Sequence, residues 1–216
     1  MDKKQPAHWL FLNAAYTFII LAVALVAAMV ARWIINPLLP VDLMAAQGGD
    51  YSRNFFVVFP IHGIASGLAF LLVAYFGGKS NGFKICFRFR AAISTPVFIL
   101  QAILAVVVYY FLFIYMCEWF TNLPTWYLSG FLAAAFGIFD ASNIYESVAA
   151  GYAEIDNLYF LYLWLHALLE LVFIVGACFL IKLGRSRGEK QADLAHEARL
   201  NELQQEKERI ASKKSL

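Results

Sequence analysis

Residues able to do chemistry are few in this sequence, and those standing in apolar surroundings come first. His62 is followed four residues later by Ser66, and His166 four residues later by Glu170. A spacing of four puts each pair on one face of a helix, one turn apart. His62 also comes eight residues after Asn54, and His166 nine after Asn157. If both helices cross a bilayer in the same direction, the two imidazoles lie about 12–14 Å below one surface at 1.5 Å per residue. Two imidazoles at one depth can be the axial ligands of a single haem b. Phe55, Phe56, Phe59, Tyr162 and Trp164 suit its flanks, and Arg32 and Arg53 its propionates.

A carboxyl in the same setting has a different use. An ionisable side chain in lipid costs about 2.5–3.5 kcal/mol on insertion scales. Glu170 is therefore neutral or paired, and its proton responds to what surrounds it. Thr17 and Gln101, counted inward from the opposite surface, come to about 13–15 Å, near the level of Ser66 and Glu170. Glu170, His166, Gln101, Ser66 and Thr17 form a candidate proton or cation site to which four helices contribute. The same groups also serve as interhelical hydrogen-bond partners that fix helix rotation. Gly63 and Gly67 beside His62 allow close helix contact with no chemistry at all.

Composition fixes the elements that must hold these residues. Of 216 residues, 62% are hydrophobic and 15% charged, with a mean hydropathy of +0.65. Soluble chains carry roughly 45–50% apolar and about 25% charged residues, so the surplus here faces lipid. Residues 8–31, 54–76 and 91–117 contain no Asp, Glu, Lys or Arg, and 157–181 contains only Glu170. Each run reaches the roughly 20 residues a transmembrane helix needs. The expected fold is an all-α membrane protein, a four-span transmembrane helical bundle with spans near 8–35, 54–77, 91–118 and 157–183. Residues 125–139 cover only about 22 Å. With Trp119, Trp126 and Tyr127 as anchors, they are expected as a short interfacial or re-entrant outer helix.

Charge sets the direction. Of the 17 Lys and Arg residues, all but Arg32 and Arg53 fall on one side of such a bundle, opposite Asp42, Asp50, Glu118, Asp140, Glu146, Glu154 and Asp156. Positive residues stay inside, so a plasma-membrane protein with both termini cytoplasmic is expected. Lys3 and Lys4 precede a first span too long for a signal peptide, so an uncleaved anchor is expected there. Cys86, Cys117 and Cys178 fall at different levels and are not expected to form disulfides.

Residues 185–216 change to a charged segment, a cytoplasmic helical tail. Leu200, Leu203 and Ile210 fit a heptad seam, while Asp193, His196 and Lys207 interrupt it. Lys182, Arg185, Arg187 and Lys190 at its start are placed to meet anionic headgroups, a surface charge that calls for no nucleic acid. No nucleophile triad, phosphate loop or metal cluster is present. The sequence therefore describes a non-catalytic component of a membrane assembly, working with other membrane subunits or as a homo-oligomer. The haem and ion sites remain alternatives.

Overall fold

The computed structural model describes residues 9–38, 59–89, 94–109 and 157–214; in the last of these, side chains are described from Leu168 onward apart from Glu170. Four helices and no strands are present among the described residues: α1 (Trp9–Ile35), α2 (Phe59–Phe89), α3 (Thr95–Tyr109) and α4 (Asn157–Lys214). Their ends follow local chemistry. Pro37 disfavours helical geometry at the residue before it, and α1 gives way to a single 3-10 turn at Asn36–Leu38. Pro60 and Pro96 lie in the first turns of α2 and α3, where a missing N–H leaves no helical bond unmade.

Among the described residues, two helices contain stretches long and apolar enough to cross a membrane, Ala14–Ile35 in α1 and Pro60–Arg88 in α2. The core between the helices is built on small and branched side chains. Along α1, Leu21, Ala24, Leu25 and Ala28 recur at helical spacing and are buried with Phe70 and Ala74 of α2, Phe98 and Ala105 of α3, and Ile174, Ala177, Cys178 and Ile181 of α4. This is the stripe expected of a core-facing helix. The outward faces, however, are just as apolar, with Ile19, Val23, Val26 and Val30 on α1 and Ile64, Leu68, Leu72 and Phe76 on α2 all exposed.

α2 and α4 lie side by side and run parallel. Phe70 meets Phe173, with ring centroids 5.4 Å apart. Further along, Cys86 Sγ donates to Asp193 Oδ1 at 3.5 Å, and the Phe87 and His196 rings stack at 4.7 Å. Glycines bring the two backbones together between these points. Added Cβ atoms at Gly78 and Gly82 would meet Ile181 Cα at 2.8 Å and Arg185 Cα at 2.7 Å, and those at Gly184 and Gly188 would meet Lys79 N at 2.8 Å and Phe83 N at 2.7 Å. Two glycine pairs of four-residue spacing thus face each other, the arrangement that admits the closest helix approach.

The helix limits differ from the sequence expectation at two places. α2 was expected to end near 77 but continues to Phe89, and the span ending near 183 and the tail from 185 are one unbroken helix of 58 residues, about 87 Å long at 1.5 Å per residue. The reason is the glycine seam. Gly78 and Gly184 are buried where α2 and α4 touch, so the two helices hold each other helical beyond the long uncharged runs. The interfacial segment 125–139, Trp119, Cys117 and both chain ends lie outside the described residues.

Candidate functional site

Polar side chains are turned inward in this bundle. Thr17, His62, Ser66, Asn81, Gln101 and Arg185 are buried while the outer faces carry Ile, Leu, Val and Phe. A buried polar group is costly unless it finds a partner, so where these residues go decides what they can do.

They divide into two levels. At the first, His62 is fully buried, and the Ser66 hydroxyl donates to the His62 carbonyl at 2.5 Å, one turn back along its own helix. Serine commonly satisfies itself in this way inside a helix, which uses the hydroxyl proton locally. Carried a little over two turns back from Phe70 and Phe173, the α2–α4 register sets His166 within one residue of the level of His62. The same shift sets Glu170 level with Ser66, as the sequence spacing anticipates. The side chains of His166 and Glu170 lie outside the described residues.

The second level is centred on Arg185. Its Nε donates to Asn81 Oδ1 at 2.9 Å, its Nη2 donates to Thr17 Oγ1 at 3.0 Å, and its guanidinium lies 5.5 Å from the centre of the Phe98 ring. One side chain of α4 therefore grips α1, α2 and α3. The planar fork of arginine can address two acceptors and a ring face at once. Gln101 is one turn along α3 from Phe98 and fully buried, and its amide oxygen and nitrogen have no hydrogen-bond partner among the described residues.

This corrects two sequence-based expectations. Arg185, expected at the membrane surface among anionic headgroups, is buried and turned into the bundle. Thr17, expected in one polar plane with Ser66, is bonded instead to Arg185 beside Asn81, and Asn81 is fifteen residues beyond Ser66 on α2, about 22 Å along the axis. The expectation counted depths from the ends of the uncharged runs. A six-atom arginine side chain reaching inward from beyond such an end is invisible to that count. Thr17 and Ser66 are thus not brought together, and Glu170 and His166 align by register with Ser66 and not with Thr17.

Sequence reasoning misplaced Arg185 and missed Asn81 and the glycines around them. A signal was present: Arg185 stands between Gly184 and Gly188, so it shares a helix face with residues small enough to be packed against a neighbour, and Gly78 and Gly82 repeat that spacing on α2. Gly63 and Gly67, the glycine pair beside His62, are buried as well. Among the described residues, no group of three or more His, Cys, Asp or Glu is placed to hold a metal ion.

Among the described residues the fold is all-helical, with two helices long and apolar enough to cross a membrane and polar side chains in the interior. No family model, curated protein or solved structure matches the chain.

Proposed function

We propose that this chain is a four-span plasma-membrane protein with both termini cytoplasmic, acting as a non-catalytic component of a membrane assembly. One observation carries this reading. α4 exposes Leu168, Leu171, Val172, Val175, Phe179 and Leu183, buries Arg185, and is then exposed at every position over residues 197–212. Soluble monomers rarely expose contiguous apolar patches larger than a few hundred Å², and lipid is the solvent in which such a belt is stable. A helix exposed on every side past that belt has no core of its own to serve. Its use is to meet another chain, with Leu200, Leu203 and Ile210 offered at heptad spacing.

Truncation after His196 tests this, because it leaves the Arg185 contacts and the Phe87–His196 stack in place. The full chain and the truncated chain should both resist extraction by alkaline carbonate. In mild detergent, the full chain should migrate in a larger complex than its own mass explains, and the truncated chain should not. Release of the full chain by carbonate, or an unchanged complex after truncation, refutes the assignment.

The α2–α4 register favours a second function, a single haem b held between His62 and His166. Where the glycine contacts give way to Phe70 and Phe173, two aromatic rings take up the space between the helices, and the level of the two histidines lies beyond them. A bis-imidazole site of this kind would supply electron transfer. Purified from haem-sufficient cells, the protein should show a Soret band that is lost in His62→Ala and in His166→Ala while the elution volume is kept. A colourless preparation removes this function.

A further inference from the structure

Along α2, exposed side chains recur at four-residue spacing: Ile64, Leu68, Leu72 and Phe76, then Ser80, Lys84 and Arg88. It changes from apolar to polar within one turn. α4 makes the same change, from Val175, Phe179 and Leu183 to Ser186, Arg187 and Lys190. Because the two helices are parallel and Gly78 lies against Ile181, both changes fall at one level of the bundle. An amphipathic pair marks that level: Arg187 Nη1 donates to the Tyr75 hydroxyl at 3.2 Å and its guanidinium stands 6.0 Å from the Tyr75 ring centre.

Charge at this level is predominantly positive. Lys79, Lys84, Arg187, Lys182 and Lys190 are exposed or half-buried within about two turns of Phe76 and Leu183, where the continuous apolar belt ends, with Glu189 the one acid in 79–88 and 182–190. Arg185 does not belong to this set, since it is spent inside the bundle. Five cations in a narrow collar just past an apolar belt complement the negative surface of a bilayer leaflet, which attracts each of them when they stand within a Debye length.

We infer that the collar formed by Lys79, Lys84, Lys182, Arg187 and Lys190 binds the phosphate headgroups of anionic phospholipids. The inference rests on the membrane reading above and names the lipid class that reading leaves open. The long aliphatic stems of lysine let the ammonium groups reach outward to the headgroups while the stems stay on apolar surface.

The full chain in detergent micelles, titrated with phosphatidylglycerol or phosphatidylcholine and read by native mass spectrometry, tests it. Phosphatidylglycerol should be retained at least tenfold more tightly than phosphatidylcholine. Lys84→Gln with Lys190→Gln, both at exposed positions, should weaken phosphatidylglycerol retention roughly 20-fold and leave phosphatidylcholine unchanged. Lys207→Gln with Arg209→Gln removes as much charge about 26 Å beyond Lys190 along α4 and should change neither. Millimolar inorganic phosphate should not displace the lipid; displacement assigns the collar to free anions and overturns the inference. Equal retention of the two lipids, or an unchanged preference in the Lys84, Lys190 variant, also overturns it. If the chain meanwhile stays in the carbonate-resistant fraction, membrane insertion stands and only the headgroup assignment fails.

Discussion

Replacing Arg185 with alanine lowers the stability of the bundle by about 3 kcal/mol, the largest effect expected of any single side chain. Two hydrogen bonds from a charged donor are lost, to Asn81 and to Thr17, each worth about 1.5–3 kcal/mol. Against that loss stands the relief of no longer burying a charge. Arg185→Lys keeps the charge but gives up the planar fork, so a single ammonium cannot reproduce both bonds and the ring contact with Phe98. It should be nearly as damaging as alanine. Asn81→Ala leaves the Nε donor without its acceptor and should cost about 1–3 kcal/mol. Thermal unfolding of the purified chain in detergent, followed by circular dichroism, measures all three. Melting of Arg185→Ala at the temperature of the parent chain would mean that this guanidinium does not join the four helices.

The second large effect is expected where α2 and α4 touch. At Gly184 and Gly188 an added Cβ meets the main chain of α2, at Tyr75 and Lys79 and at Lys79 and Phe83. Backbone atoms cannot rotate aside as a side-chain tip can, so the helices must separate. Overpacking of this kind costs about 1–3 kcal/mol per site. Gly184→Ala with Gly188→Ala should therefore destabilise the pair by several kcal/mol and free the Phe87–His196 stack further along the seam. Gly176 is the internal control. It lies on the same helix with nothing within 4 Å of an added Cβ, and alanine is the better helix former by about 1 kcal/mol. Gly176→Ala should be neutral or stabilising. If all three positions respond alike, helix propensity and not close approach governs them.

Several features were legible in the residues alone. The helical class, the apolar runs that became α1 and much of α2, and the placing of His62 and Ser66 on one helix face all follow from spacing and composition. These are local properties, set by residues within a turn or two of one another. The site at Arg185 was not legible. A basic residue just past an apolar run reads as surface, and only the packing of Gly184 and Gly188 against α2 turns it inward. Gln101 shows the same limit. Its burial was expected, but which neighbour it faces depends on how α3 is rotated against α1, and spacing along one helix carries no information about that rotation.

What the sequence determined by itself was the helical class of the described residues and the apolar runs within them, since a chain with 62% hydrophobic residues in long uncharged runs can satisfy its backbone within helices wherever water is absent. What only the tertiary structure decided was how far those helices run and which polar groups meet. Helix length past the apolar belt depends on a partner at glycine distance, and the meeting of Thr17, Asn81, Phe98 and Arg185 spans 168 positions of chain between its outermost members. Contacts of that separation are fixed by close packing among four helices, and no periodicity within any one of them encodes it.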